Sequence, residues 1–222
     1  MARGRLIVFE GAEGVGKSTQ LRRLASWLES GGRVVHTFRE PGGTPLGDEI
    51  RRILLDPTSI IAPRAEALLF MASRAQLVET LVRPALELGH DVLLDRFFLS
   101  TYAYQGAGRG LPEAEVRRAN AVATNGLVPD LTLLMTLPVA EGLARAEQRG
   151  ERDRMERNAD DFHHRVGDAF ARFAEAGWQA EHPECGPIVI ADASGSADAV
   201  FARVRAIVEE RLAGHAVQDQ NG

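Results

Sequence analysis

The chain has 222 residues, of which 45% are hydrophobic and 26% charged, and its 26 basic and 31 acidic side chains give a formal net charge of −5. These values exclude a disordered or disulfide-stabilised protein and predict a single globular domain, residues 1–222, with a sizeable core. A pI near 5.7 argues against a surface that binds nucleic acid, and the single cysteine, Cys185, excludes an internal disulfide. Without a signal peptide or a run of about 18 apolar residues, the chain is predicted to be cytoplasmic and not to enter a membrane.

Strand and helix patterns alternate along the chain, separated mostly by glycine or proline. The predicted strands are 5–10, 33–38, 91–95, 130–137 and 187–191. The predicted helices are 18–28, 45–55, 63–88 with a bend at Pro84, 112–124, 139–148, 162–180 and 197–212. This alternation predicts an α/β fold, a five-stranded parallel sheet with helices on both faces.

Three stretches are predicted to lie outside regular structure. The residues between the third strand and residue 112 are rich in Ser, Thr, Tyr and Gly and predict a loop. Residues 149–161 are highly charged with almost no apolar periodicity, which predicts a mobile surface segment or lid. Residues 214–222 are expected to form a disordered tail.

A glycine-rich sequence, Gly-Ala-Glu-Gly-Val-Gly-Lys-Ser at 11–18, lies between the first strand and the first helix. Lys17 is the sole lysine, so 25 of the 26 basic residues are arginine. A compact ammonium can fold back over such a loop to reach phosphate oxygens, whereas a planar guanidinium is bulkier. Loop N–H groups and the helix N-terminus bind phosphate, which makes a glycine turn without a ligand the weaker alternative. We predict an ATP-binding P-loop formed by Gly11, Ala12, Glu13, Gly14, Val15, Gly16, Lys17, Ser18 and Thr19.

The end of the third predicted strand carries Asp95, followed by Arg96. An acid there can hold Mg²⁺ together with Ser18, although aspartates are also common caps at strand ends. A motor ATPase usually carries a second acid where Arg96 stands, so the pair favours phosphoryl transfer over hydrolysis. A GTPase is excluded, because its guanine-recognising Asn-Lys-x-Asp element requires a second lysine.

Several motifs together resemble those of bacterial thymidylate kinases. They are Phe-Arg-Glu-Pro-Gly-Gly-Thr at 38–44, Asp-Arg-Phe at 95–97 with Ser100-Thr101 and Tyr104-Gln105-Gly106, and Arg-Gly-Glu-Arg-Asp-Arg-Met-Glu at 149–156. The resemblance covers residues 5–212 and implies a P-loop nucleoside monophosphate kinase fold, phosphoryl transfer from ATP with Mg²⁺ to dTMP, and a homodimer. Two residues depart from the family pattern: Phe97 replaces the common Tyr or His, and Thr136 replaces an Asp that often lies in the fourth strand.

The resemblance also implies roles for individual residues. The implied dTMP-binding residues are Glu13, Arg39, Arg51, Phe70, Arg74, Arg96, Thr101, Tyr104 and Gln105. The implied catalytic residues are Lys17, Arg96, Arg149 and Arg154, and the metal-binding residues are Ser18 and Asp95.

Phe70 and Arg74 are four residues apart on a predicted helix, so they share a face and can address a single base as an aromatic plane and a cation. Phe70 also fits a core position, since it lies within an apolar run. Arg51 is expected to hold the acceptor phosphate with Arg39 nearby, and is otherwise a solvated charge. Tyr104 is expected to crowd the 2′ position of a ribonucleotide.

Five arginines lie within residues 145–157, interleaved with acids, so this run also fits a solvated helix face. Glu13 places an acid rather than a cation in the P-loop, so the loop offers only Lys17 to stabilise the transferring phosphoryl group. We therefore predict that the lid supplies Arg149 and Arg154.

Two other functions remain open on the sequence. One is a P-loop kinase for another small acceptor, such as a deoxynucleoside or a different monophosphate. The other is a nucleotide-binding switch without turnover, whose ADP release would not depend on an acceptor.

Overall fold

The computed structural model describes residues 3–147, 154–155, 158 and 160–218. The strands are β1 Leu6–Glu10, β2 Val35–Arg39, β3 Asp91–Asp95, β4 Leu131–Thr136 and β5 Ile188–Asp192. The α-helices are α1 Lys17–Ser30, α2 Pro45–Leu55, α3 Pro63–Leu77, α4 Arg83–Glu87, α5 Phe98–Thr101, α6 Glu113–Thr124, α7 Val139–Glu147, α8 Asp160–Phe173, α9 Ala176–Glu181 and α10 Ala197–Gln218. Val78–Val82 and Tyr102–Gly108 are π-helical, and Pro183–Cys185 is a 3₁₀ turn.

The five strands form one parallel sheet in the order β2-β3-β1-β4-β5, which confirms the predicted fold class. In the register, Phe9 pairs with Asp95 and Glu10 pairs with Leu134. The carboxyl ends of β1, β3 and β4 therefore lie side by side. In an open α/β sheet, this is the edge where ligands bind.

Helices cover both faces of the sheet. Side chains alternate along β1, so that Leu6 and Val8 enter one core while Ile7 and Phe9 enter the other. The first core contains side chains from α6 and α8, and the second contains side chains from α1 and α10. Burial on both faces explains why β1 is a continuous apolar run rather than an alternating one.

The stretch after β3, predicted as a loop, is helical. Phe98, Leu99 and Ala103 are buried in the core, so the stretch is held by packing despite its loop-like composition. Glu10 at the end of β1 accepts hydrogen bonds from the backbone N–H groups of Phe97 at 2.7 Å and Ser100 at 3.1 Å. This carboxylate satisfies N–H groups at the start of α5 that have no partner within the helix.

Two predicted helices are interrupted and one is longer than expected. The 63–88 pattern contains the π-helical segment before Pro84, whose missing N–H cannot continue the regular hydrogen-bond ladder. The 162–180 pattern breaks between α8 and α9, and α10 extends beyond residue 212 to Gln218. In the part of the chain that the structure describes, none of these helices has the length and apolar character needed to cross a bilayer.

Candidate active site

The loop between β1 and α1 lies directly against neighbouring backbone. A Cβ atom at Gly14, where φ is +74°, would come within 1.8 Å of the Gly142 carbonyl oxygen. At Gly11, where φ is +135°, it would come within 2.3 Å of the Met135 carbonyl oxygen. Both positions therefore require glycine, and the loop is held against the end of β4 and the start of α7.

Lys17, the first residue of α1, folds back over the loop that precedes it. Its Nζ donates to the carbonyl oxygens of Gly11 at 2.9 Å and Ala12 at 2.7 Å. Burial, together with the positive charge of Arg96, lowers the pKa of Lys17 to about 7. Negative phosphate oxygens beside Nζ would favour its charged form.

Ser18 and Asp95 bring two oxygen ligands together at the carboxyl end of the sheet. Ser18 Oγ donates to Asp95 Oδ2 at 2.5 Å. The pair joins the first turn of α1 to the last residue of β3. Hydroxyl and carboxylate oxygens are the ligand types that Mg²⁺ prefers, and Mg²⁺ usually takes few protein ligands.

Arg96 has a left-handed backbone conformation, with φ of 76°, which is uncommon for a residue other than glycine. Its guanidinium donates to Ser100 Oγ at 2.9 Å, to the Gly11 carbonyl oxygen at 3.2 Å and to the Tyr104 hydroxyl at 3.3 Å. Burial acts to lower the pKa of Arg96, but the neighbouring Tyr104 and Asp95 outweigh it and raise that pKa further above neutrality. Arg96 is thus a fixed cation next to Lys17.

A cavity of about 310 Å³ extends from the P-loop over the ends of β2 and β3 to α3 and the segment 98–108. Its lining contains all nine residues predicted to bind dTMP, together with Lys17, Ser18 and Asp95. The complete lining is Glu13, Gly14, Gly16, Lys17, Ser18, Thr19, Arg39, Glu40, Pro41, Arg51, Leu55, Phe70, Arg74, Asp95, Arg96, Ser100, Thr101, Tyr104, Gln105 and Met155. Of the predicted P-loop residues, Gly11, Ala12 and Val15 do not line it.

Phe70 and Arg74 line the cavity from α3. Phe70 is partly exposed, and Arg74 is almost fully buried. Arg74 donates to Glu40 Oε2 at 2.7 Å, to Thr101 Oγ1 at 3.0 Å and to the Phe97 carbonyl oxygen at 2.8 Å, and it also donates to Asn120. Burial raises the pKa of Glu40, and the charge of Arg74 opposes this shift.

Residues between the two ends of the cavity also bond to one another. The Tyr104 hydroxyl donates to Glu13 Oε1 at 3.3 Å, which joins the segment 102–108 to the P-loop. Arg51 Nη1 donates to the Pro41 carbonyl oxygen at 3.0 Å, and Arg39 is exposed at the end of β2. With Arg74, the arginines at 39, 51 and 96 make four that line one cavity.

The structure describes only part of the predicted lid. Arg149 lies outside the described residues. Arg154 does not line the cavity: its Nε donates to the Leu54 carbonyl oxygen at 2.6 Å and its Nη2 to Glu66 Oε2 at 2.7 Å. The adjacent Met155 does line the cavity, so the segment lies at its edge.

Several residues of the site were not predicted as site residues. Glu40 accepts a hydrogen bond from Arg74, Ser100 accepts one from Arg96, and Glu10 accepts those from the start of α5. Leu55 and Met155 line the cavity. Glu40 and Ser100 belong to the sequence motifs quoted above, which was a usable signal. In the sequence Glu10 is only the last residue of an apolar strand, but the structure buries it fully, and a buried acid needs a polar partner.

The fold and the site define a P-loop phosphotransferase of the nucleotide kinase class. The parallel sheet carries a glycine-rich loop with its lysine at the carboxyl edge, next to a cavity rich in arginine. Comparison with known proteins identifies the family. The sequence model of the family described as Thymidylate kinase matches residues 9–184.

Individual relatives agree with this match. The chain is 46% identical over 211 residues to the thymidylate kinase of Deinococcus radiodurans, covering 95% of this chain and 99% of that protein. It is 48% identical over 204 residues to the thymidylate kinase of Clavibacter sepedonicus, covering 91% and 93% respectively. The chain belongs to the thymidylate kinase family, whose members are nucleoside monophosphate kinases.

Proposed function

We propose that this chain transfers the γ-phosphoryl group of ATP to dTMP, giving dTDP and ADP in dTTP synthesis. One observation carries the proposal: a single cavity is lined both by Lys17 of the P-loop and by Phe70 and Gln105. With ATP phosphates at the loop and a pyrimidine base at Phe70, the donor and acceptor phosphates meet within one cavity. Holding both reactants in this way supplies much of the rate enhancement in phosphoryl transfer.

The proposed phosphate contacts come from the cationic part of the cavity. Lys17 and the loop N–H groups hold the outer phosphates of ATP, while Arg51 and Arg39 hold the monophosphate of dTMP. Arg96 lies between them, bonded to both Gly11 and Ser100, and stabilises the negative charge that develops on the transferring group.

Mg²⁺ is the proposed cofactor, held by Ser18 and Asp95. The residues that the structure describes contain no cluster of three or more His, Cys, Asp or Glu side chains able to hold a metal. This suits an ion that takes most of its ligands from ATP phosphates and water. When bound, Mg²⁺ would neutralise charge on the phosphate oxygens.

The proposed contacts to the nucleoside involve the opposite part of the cavity. Phe70 stacks on the base, and Arg74 shares one of its N–H groups with a base carbonyl oxygen. Thr101 and Gln105 line the base, and the Tyr104–Glu13 pair faces the sugar, where Tyr104 crowds a 2′-hydroxyl.

Two further features are proposed from the family. The lid supplies Arg149 and Arg154 to the transferring phosphoryl group, and the chain forms a homodimer in the cytoplasm. Neighbouring helices α2, α3 and α6 carry exposed apolar side chains that a second copy could cover, at Leu46, Ile53, Leu68 and Val122.

A panel of acceptors with ATP and Mg²⁺ tests the function. We expect dTMP to be preferred over dUMP by roughly tenfold in kcat/KM, because one methyl group in an apolar pocket contributes on the order of 1 kcal/mol or slightly more. Deoxynucleosides and other monophosphates should be poorer acceptors. If one of them accepts the phosphoryl group faster than dTMP does, that compound is the substrate. ADP formation that does not depend on any acceptor would favour a nucleotide switch.

A further inference from the structure

Glu66 is a fully buried carboxylate on α3 that does not line the cavity. Its Oε1 accepts hydrogen bonds from Gln105 Nε2 and from Arg109 Nε, both at 3.0 Å. Its Oε2 accepts from Arg109 Nη2 at 3.0 Å and from Arg154 Nη2 at 2.7 Å. Four N–H donors from three residues therefore surround Glu66. Of these three residues, only Gln105 also lines the cavity.

These donors decide the protonation state of Glu66. Burial by itself would raise its pKa, but the hydrogen bonds from Arg109, Gln105 and Arg154 outweigh burial and hold the pKa below its usual value. Glu66 is therefore ionised at neutral pH, and an ionised carboxylate can only accept hydrogen bonds.

An acceptor at this position fixes the orientation of the Gln105 side chain. The amide of a glutamine has one donor end and one acceptor end, and the end that faces Glu66 must be the NH₂ group. The carbonyl oxygen, Oε1, is then the end left for a ligand. Within the described residues, none donates a hydrogen bond to Gln105 Oε1.

We propose that Glu66 is a positioning residue for base specificity: it holds Gln105 with its carbonyl oxygen toward the acceptor base, so that bases with an N3–H group are selected. Thymine and uracil carry this donor, whereas cytosine presents a bare N3 that would face an oxygen lone pair. The proposal rests on the proposed function, since it takes the base of the acceptor nucleotide to lie at Gln105.

Glu66→Gln is the decisive substitution because it replaces an acceptor-only group by an amide of almost the same shape. The Nη2 groups of Arg109 and Arg154 donate to the Oε2 position and should select the new carbonyl oxygen there. The new NH₂ group then faces Gln105 and the Nε–H group of Arg109, and of these two only Gln105 can present an acceptor. Gln105 should turn over, accept from that group, and direct its own NH₂ toward the base.

Binding of dTMP and 5-methyl-dCMP, measured by calorimetry, tests this, because the two differ only at positions 3 and 4 of the base. The parent protein should bind dTMP on the order of 100-fold more tightly or better, since a buried polar group left unpaired is strongly rejected. Glu66→Gln should reduce this ratio at least tenfold, with 5-methyl-dCMP binding more tightly than in the parent.

Asn158→Ala is the matched control. It removes one hydrogen bond to Arg109 but leaves all four hydrogen bonds to Glu66 in place, so the ratio should stay within about threefold of the parent. The proposal would be overturned if Glu66→Gln weakened the binding of dTMP and 5-methyl-dCMP equally, or if the parent protein bound the two with the same affinity. A parent protein that does not bind dTMP at all would instead remove the proposed function on which it depends.

Nuclear magnetic resonance tests the orientation in the unmodified protein, whether or not Glu66→Gln folds. The Gln105 NH₂ hydrogen and the Arg109 Nε hydrogen point at the same oxygen, so each lies about 2 Å from it and they are at most about 4 Å apart. We expect an Overhauser contact between them in the dTMP complex. A contact from the Gln105 NH₂ group to the N3 region of the base in its place would overturn the proposal.

Discussion

Lys17 combines a demanding position with an unusual electrostatic setting. Its ammonium lies between the Gly11 and Ala12 carbonyl oxygens, close to the guanidinium of Arg96. With a pKa of about 7, much of the Lys17 population is neutral in slightly alkaline solution before a nucleotide binds. Phosphate oxygens would stabilise the charged form, so nucleotide binding and proton uptake are coupled.

We predict that ATP binding takes up close to one proton at about pH 8, and almost none at about pH 6, where Lys17 is already charged. Consequently, affinity for ATP should decline as the pH rises above 7. Calorimetric titrations in two buffers with different ionisation enthalpies measure the uptake directly. In Lys17→Arg the uptake should vanish, because a guanidinium stays charged throughout this range, and transfer should nearly cease. Equal uptake at both values of pH would contradict the prediction.

The partners of the buried acids Glu40 and Glu66 could not be assigned from the sequence, for a physical reason. Lys17 was conspicuous because it is the sole lysine and occupies a motif. Glu40 depends on Arg74, which is 34 residues away, and Glu66 depends on Gln105, which is 39 residues away. Only the fold brings these pairs together, and a single sequence carries no signal for such pairing.

Elements were predicted well wherever their own periodicity determines them. The α2 and β3 boundaries agree with the structure: Pro57 lies two residues after the end of α2, and Gly89 lies two residues before the start of β3. The segment 98–108 was wrongly predicted as a loop, because its composition suits turns while its burial and the Glu10 carboxylate make it helical. Tertiary contacts here override local preference.

The lid is the element whose role most needs a test. Arg154 connects it to α2 through the Leu54 carbonyl oxygen and to α3 through Glu66. To reach a phosphoryl group, the Arg154 side chain has to leave Glu66. A transition-state contact and an anchoring contact have different kinetic consequences.

We predict that Arg154→Ala lowers kcat by roughly 10³-fold while the KM for dTMP changes little, because a positioned arginine acts mainly on the transition state of phosphoryl transfer. The fraction of ATP lost to water should rise as closure fails. Steady-state kinetics with separate detection of ADP and dTDP measure both effects. Arg165→Ala is the control, since Arg165 on α8 bonds to the backbone at residues 107 and 108 and does not line the cavity. An unchanged kcat in Arg154→Ala would leave Arg154 as an anchor only.

For the whole molecule, the exposed apolar side chains are unevenly placed. Leu68 on α3 and Val122 on α6 are 64% and 84% exposed, although these two helices pack against each other. Arg64 on α3 pairs with Glu115 on α6. Arg64 precedes Leu68 by four residues, and Glu115 precedes Val122 by seven, so each apolar residue shares a helix face with one of the paired charges. The two apolar side chains therefore extend the same outer surface of the helix layer.

We predict that the parent chain forms a dimer of about 48 kDa, twice its 24.1 kDa mass, through this surface. Replacing Leu68 by Glu should place like charges opposite each other across a two-fold axis or bury an unpaired charge, and should shift the mass to that of a monomer. Light scattering coupled to size-exclusion chromatography measures the mass. Leu88→Glu is the matched control, because Leu88 is 65% exposed but lies at the end of α4 and not on α2, α3 or α6. A monomeric parent chain would refute the dimer, and a Leu68→Glu variant that stays dimeric would move the interface to another face.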